Sequence, residues 1–342
     1  MAITSGAGPH YAWLTVNGST FPVQNGSVEQ QATRKTSSFS ANIPLSYPGA
    51  MDALASVGDN TATITVLTRG MQATLFTGEA DTAEFDYIGR VIRITGRDPS
   101  AKLHENRTSE KWLNKKGSDI VQDLAGRVGL NVEADSSQLM AGKQLQQDYV
   151  RLSDNVTYAY VIHKLAELDG ARWWIDQNGT LQYRLMNNPT GTYTLTYVPP
   201  TTGSMSADFM TLRVRRNIQA GKSIAVNVKT WHPKKKQVFN YTSNVPGNGT
   251  TINHDHDIPG LLQDHVQQYA KSRANELARH ELTISATVAG DPSVNVAMGL
   301  QLNGTGYFDQ AYQMDTVSHE FGMSGHRTNI TAKSALQGRS AS

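Results

Sequence analysis

The residues best suited to chemistry in this chain are histidines with carboxylates beside them. Asn253 to Asp257 reads NHDHD, and His265 follows eight residues later. His254 and His256 could chelate a metal, with His265 as a third ligand. Their spacing matches no zinc-site pattern. The same residues fit a solvated helix start, where acidic groups are favoured and Asp257 is a suitable cap, and this is the stronger reading. His280-Glu281 and His319-Glu320 each place a base beside a ligand. A zinc-hydrolase helix needs a second histidine one turn on, where Ile284 and Met323 stand instead. GMSGH at 322–326 has the wrong spacing for a nucleophile elbow. The glycine clusters do not sit between a strand and a helix, so neither a P-loop nor a dinucleotide fingerprint is present. Carboxylate pairs of the glycosidase kind could form between many Asp and Glu residues, and the sequence singles out none. Lys234 to Lys236 could meet a phosphate or a lipid, but a solvated hairpin tip accounts for them, and edge lysines deter strand aggregation. Trp173-Trp174 could stack on a sugar. Adjacent residues of a strand face opposite sides, so one is expected in the core and one outside.

The elements that must position these residues are mostly strands. The stretch Gly70 to Asp98 aligns without a gap on Gly306 to Ser334, at an offset of 306 − 70 = 236. Gly70 falls on Gly306, Glu84 on Glu320, Phe85 on Phe321, Gly89 on Gly325 and Ile94 on Ile330. Upstream, Ile64 meets Leu300 and Val66 meets Leu302. Two copies are too few for a solenoid, so the pattern predicts a duplicated β-domain with different material between the copies. Ile64, Val66, Ile94, Leu300, Leu302 and Ile330 are expected to point inward. Gly89 and Gly325 should open the last strand of each copy, where a bend or a positive φ suits glycine.

Residues 1–98 read as short strands in a sandwich or barrel. A polar linker, 99–117, leads to a small α/β module at 118–188. It holds a helix over Ser118 to Val128, a short strand, a second helix over Asn155 to Leu168, and a hairpin turning at Asn178-Gly179. Residues 189–342 form the second β-domain, with a long helix from about 259 to 279. Leu262, Val266, Tyr269, Arg273 and Leu277 lie on the expected buried side of that helix. The fold class is therefore β-rich α+β.

Composition narrows the function. The 342 residues carry a formal charge of +2 and no cysteine. Near-neutral charge argues against a dedicated nucleic-acid binder. Without cysteine there is no disulfide, zinc thiolate or cysteine nucleophile. The first residues lack the basic and apolar regions of a secretory signal, and no apolar run is long enough for a membrane anchor.

The order of these parts resembles the bacteriophage tail baseplate hub proteins of the late control protein D family. The resemblance rests on GRVIRITGRDPSAKL (89–103), WLNKKGSDIVQDLAGRVGL (112–130), the helix and hairpin of 161–185, and the run from Ala274 to Thr331 that includes TVSHEFGMSGHRTNI. It spans most of the chain. One departure is Ala297-Met298-Gly299, where the family carries a Pro-Gly. The resemblance implies two tube-protein-like β-barrels flanking the module and a homotrimer. Three chains would then offer six barrels to a six-fold tail tube or its initiator, and a three-fold face to a central spike. Tape measure and baseplate wedge proteins would be further contacts. It also implies a virion tail protein assembled in the host cytoplasm, with no cofactor, no catalysis and no sequence-specific nucleic-acid binding. Two other readings stand beside it. The helix Ser118 to Val128 with Leu130 resembles half of a LysM unit, which suggests a peptidoglycan-binding module. Dispersed carboxylates would suit a tail-associated cell-wall hydrolase.

Overall fold

The computed structural model describes residues 10–335 except 33–34, 56–59, 111, 113–114, 141–154, 187–188, 201–204, 233–235 and 324. The first sheet contains β1 (Tyr11–Val16), β2 (Ser19–Pro22), β3 (Asn25–Gln31), β4 (Ser38–Pro44), β5 (Thr61–Thr68), β6 (Met71–Asp86) and β7 (Val91–Arg97), with α1 (Ala50–Ala55) between β4 and β5. The strands lie in the order β2-β1-β5-β6-β7-β4-β3. Aliphatic residues alternate with polar ones along them, so Leu14, Ile43, Ile64, Ile92 and Ile94 meet in one apolar core.

The module follows, built from α2 (Ser100–Glu105), β8 (Arg107–Thr108), α3 (Gly117–Arg127), β9 (Val132–Ala134), β10 (Val156–Thr157), α4 (Tyr158–Asp169), β11 (Ala171–Ile175) and β12 (Leu181–Leu185). The stretch read as a linker contains α2, and Leu103 and Trp112 within it are buried in the module core. Thr157 caps α4 by accepting the amide of Tyr160, and Gly170 ends it at φ 66°. Tyr160 of α4 is exposed. Ala159, Val161, Ile162, Leu165 and Ala166 are buried.

The second sheet holds β13 (Thr192–Val198), β14 (Ser206–Ala207) and β15 (Thr211–Arg216). An insertion comes next: β16 (Ile224–His232), β17 (Gln237–Val245), β18 (Ile252–Asp257) and α5 (Gln263–Arg279). The sheet resumes with β19 (Leu282–Ala289), β20 (Gly299–Asn303), β21 (Ala311–Gly322) and β22 (Gly325–Ser334). Its order is β14-β13-β20-β21-β22-β19-β15, the counterpart of the first sheet position for position. One difference is that β13 pairs parallel with β20, whereas β1 pairs antiparallel with β5. The insertion has its own core of Ile224, Val226, Val228, Val266, Ala270, Ala274 and Ala278. Thus 189–342 is a sheet interrupted by a second small layer. The long helix starts at Gln263 rather than near 259. Val266, Ala270, Ala274 and Ala278 line its buried side at i, i+4 spacing, where small residues let the helix approach β16 and β17. The expected Tyr269, Arg273 and Leu277 flank that stripe.

The two copies do not superpose without a gap. Asp86 pairs with Val91 across a four-residue turn, while β21 and β22 continue to Gly322–Gly325 across a two-residue turn. With Ile94 on Ile330, the partners of the last strands shift. Phe85 faces Ile92 and so matches His319, which faces Thr328; Tyr87 matches Phe321. Glu84 therefore falls on Ser318 rather than Glu320, and Phe85 does not fall on Phe321. The shift is two residues here, 319 − 85 = 234, and two in the opposite sense at the preceding strand, where Leu300 falls on Ala62, 300 − 62 = 238. Even shifts preserve side-chain parity, so Ile64, Val66, Ile94, Leu300, Leu302 and Ile330 are all buried. A β-bulge marks the same place in both hairpins, at Asp81 and Asp315. Each bulge carboxylate takes the cation from the same place on the last strand. Arg97 binds Asp81 through two bonds of 2.7 and 3.0 Å, and Lys333 lies 2.7 Å from Asp315. Gly70 lies in a tight turn at φ 80°, whereas Gly306 lies inside a longer connection at φ 74°. Gly325 starts β22 at φ 106°. Gly89 lies in the turn before β7, where Arg90 takes the positive φ of 56°. Ile88 is in that turn too, and at 97% exposed it shares no face with Ile92 and Ile94.

β11 joins the module to the second sheet. Trp173 packs in the module core and Trp174 in the core of the second sheet. The expectation of one exposed tryptophan fails because both faces of this strand are covered. Arg172 lies 4.8 Å over the Trp174 ring and donates to the carbonyls of Met314 and Val296 at 2.8 and 3.0 Å. Replacing Trp174 with Ala is expected to cost about 3–5 kcal/mol. A urea unfolding midpoint unchanged from wild type would show that this contact does not hold the module in place.

Candidate functional site

The two sheets are one. β3 of the first pairs antiparallel with β21 of the second over seven residue pairs, from Thr316–Gln31 to Gly322–Asn25. A continuous backbone ladder thus crosses from one sheet to the other, giving fourteen strands among the described residues. The Thr316 hydroxyl donates to Gln31 Oε1 at 3.1 Å, and the Ala32 amide to the Asp315 carbonyl at 2.9 Å. Phe321, on β21, buries its ring in the core of the first sheet. It does so opposite Gly26, where a Cβ would stand 2.8 Å from the ring and 2.6 Å from the Ser40 carbonyl.

Beside this ladder lies a buried histidine pair. The spacing of His319 and His326 matches no catalytic motif, but the hairpin brings their rings to 5.3 Å. His319 Nε2 donates to the Val294 carbonyl at 3.0 Å, so its Nδ1 is an acceptor. His326 Nε2 donates to that Nδ1 at 3.2 Å, and His326 Nδ1 accepts from the Thr68 hydroxyl at 2.9 Å. Thr68 belongs to β5, so the chain of bonds reaches the first sheet. Burial holds His319 neutral, with its pKa lowered to about 4. Burial, then repulsion from His319 and His10, lowers His326 to about 3. Gly290 is required here, because a Cβ would stand 2.2 Å from the His326 ring.

A second junction involves α5. Arg279, buried at the end of this helix, donates to Asp315 at 3.1 Å and to the Ser334 carbonyl at 3.3 Å. The GRD run that closes β7 has parallel duties. Gly96 admits the Glu79 carbonyl, which would lie 2.1 Å from a Cβ. Arg97 holds the bulge. Asp98, buried, accepts the amides of Ser37 and Ser100 at 2.7 and 2.8 Å, tying β4 to α2.

The expected metal candidates are placed differently. NHDHD is strand β18, paired parallel with β16 so that His254 faces Val226 and His256 faces Val228. It is not a helix start, and Asp257 caps nothing: the residue before α5 is Leu262. Histidines two apart in a strand share a face, and His256 meets Tyr269 of α5 edge-on at 6.0 Å. His265 is buried in the first turn of α5. Among the described residues no three His, Asp or Glu side chains gather as a metal site. Lys234 and Lys235 lie outside the described residues; Lys236 is in a turn at φ 48°.

A cleft of about 320 Å³ lies between α4 and α5, lined in part by His163, Glu167, Tyr269, Arg273, Glu276 and His280. Its acids are already engaged. Burial opposes the ionisation of Glu167, but bonds from His163 and Lys164 prevail and hold its pKa at about 2. Glu276 binds Arg279 at 3.1 Å and lies 3.5 Å from His280. These contacts lie within α4 and at the C-terminal end of α5. Among the described residues no helix is long and apolar enough to cross a membrane.

No family model matches the sequence, and no curated protein matches it significantly. Solved structures do. A tail protein from Neisseria meningitidis MC58 is 13% identical, with a TM-score of 0.68 over 95% of this chain and 96% of that one. The 43 kDa tail protein of prophage MuSo2 from Shewanella oneidensis is 13% identical, with a TM-score of 0.63 over 94% and 97%. The E. coli c3393 protein, described as a type VI secretion component with structural similarity to the T4 tail proteins gp27 and gp5, is 12% identical. Its TM-score is 0.57 over 93% of this chain and 76% of that one. The chain has the fold of phage tail proteins.

The neutral histidine pair predicts a pH dependence. Both folded pKa values lie below the usual 6.5, so the stabilisation is complete above pH 6.5 and declines as pH falls toward 4. The decline should approach about 1.4 kcal/mol per pH unit for each histidine that stays neutral. Urea midpoints at pH 7 and pH 5 should differ in the wild type and differ less in His326→Gln. Equal wild-type midpoints would refute the assignment.

Proposed function

We propose that this tail-protein fold serves as the structural hub of a phage tail baseplate or a related contractile injection particle. The observation that carries the reading is the duplication within one sheet. Each chain presents two strand arrays of matching order, already joined edge to edge by β3 and β21. Three chains in a ring would then present six similar units to a six-fold tail tube, or to its initiator, while keeping a three-fold axis for a central spike. The solved tail proteins of matching fold support this role. The ring would line the channel for the genome, in a virion tail assembled in the host cytoplasm.

The hub acts without catalysis or cofactor. Against the cell-wall hydrolase reading, the acids of the cleft between α4 and α5, Glu167 and Glu276, are held by Lys164 and Arg279. The glycan-binding reading loses its stacking platform, since Trp173 and Trp174 are 4% and 3% exposed. Purified protein is expected to give no clearing on a peptidoglycan zymogram and to stay in solution when peptidoglycan is pelleted.

Light scattering should give the mass of three chains, alone or when the tube and spike proteins of the same particle are co-expressed. Negative-stain images should show six lobes round a channel. A chain that remains monomeric with both partners present would overturn the hub.

A further inference from the structure

The seam inside the chain defines what its two open ends must meet. We propose that β15 of one chain pairs antiparallel with the outer half of β6 of a second copy, in a fixed register that sets Arg213 against Asp86 and Arg215 against Glu84. This rests on the hub reading and adds the interface.

The register follows from the duplication. Val28 of β3 is connected through Phe39 to Gly96, and Val214 of β15 through Ile284 to Ala332. Gly96 and Ala332 are 236 residues apart, like Ile94 and Ile330, so Val214 stands where Val28 stands. Phe85 stands where His319 stands, since they face Ile92 and Thr328, also 236 apart. Inside the chain, Val28 pairs with His319. Between chains, Val214 therefore pairs with Phe85, and the antiparallel ladder runs on as Leu212–Tyr87, Arg213–Asp86, Arg215–Glu84 and Arg216–Ala83.

Three observations favour a second copy as the occupant. First, both edges are open. Among the described residues β15 pairs only with β19, and Thr82 to Asp86 only with β7. Second, the vacant half shows what a partner would cover. Phe321, under β3, is 5% exposed, while its counterpart Tyr87 is 67% exposed. Third, the chemistry matches on both faces. Val214, Leu212 and Phe85 are half-buried against the cores on the inner side. Arg213 and Arg215 are exposed on the outer side of one edge, Glu84 and Asp86 on the outer side of the other. Glu84 stands opposite Arg93 of β7 in the ladder, and Asp86 accepts the amides of Ile88 and Gly89 through Oδ1. Because the contact is heterologous, three copies close a ring in which internal and intermolecular seams alternate.

The absence of native cysteine makes the register directly testable. A Glu84→Cys/Arg215→Cys double variant, treated with oxidant or a short bifunctional maleimide, should yield covalent trimers. An equimolar mixture of the two single variants should stop at dimers, and either single variant alone should remain uncoupled. Arg215→Glu alone should raise the concentration at which trimers dissociate roughly tenfold or more, and Glu84→Arg in the same chain should restore it. A chain that is trimeric by light scattering but does not couple through this pair would refute the seam and leave the hub standing. A chain that stays monomeric with tube and spike proteins would refute both.

Discussion

The structure depends on one backbone ladder, the pairing of β3 with β21. Strand pairing satisfies amide and carbonyl groups that would otherwise be costly to bury. It also fixes translation and rotation together, because a slip of one residue would turn every side chain to the wrong face. Two domains joined by side-chain contact alone could rock about their interface; two joined by a shared sheet cannot do so without breaking hydrogen bonds.

The polar groups around the ladder follow from its geometry. Where β21 bulges at Asp315, a carboxylate is turned toward Lys333 and Arg279, so the bulge is also the place where α5 is fastened. Where the hairpin of β21 and β22 turns, His319 and His326 are taken out of water and must find partners within the protein. Remaining neutral, they satisfy each other, Val294 and Thr68 without a buried charge.

The module is secured by a different device. In β11 alternate residues serve two cores, Trp173 the module and Trp174 the second sheet. Arg172 closes the joint by donating to the carbonyls of Met314, beside the bulge, and of Val296. A strand covered on both faces reads as a nearly continuous apolar run, and ARWWI is such a run.

The amino-acid sequence by itself determined the local parity of the strands, the turn glycines, the helices of the module and the presence of two related β-hairpins. These depend on neighbours a few residues apart. It did not determine the register between the copies, because changes of two residues leave the inward and outward pattern intact and only the hydrogen-bonded partner reveals them. Nor did it assign NHDHD to a strand: His254 and His256 gain their place from Val226 and Val228 on β16, nearly thirty residues away. The same holds for the pair at 319 and 326. Their spacing meant nothing until a two-residue turn folded one strand onto the next. What tertiary structure alone decided was which edges meet, since an edge strand carries the same alternating sequence whether or not it has a partner.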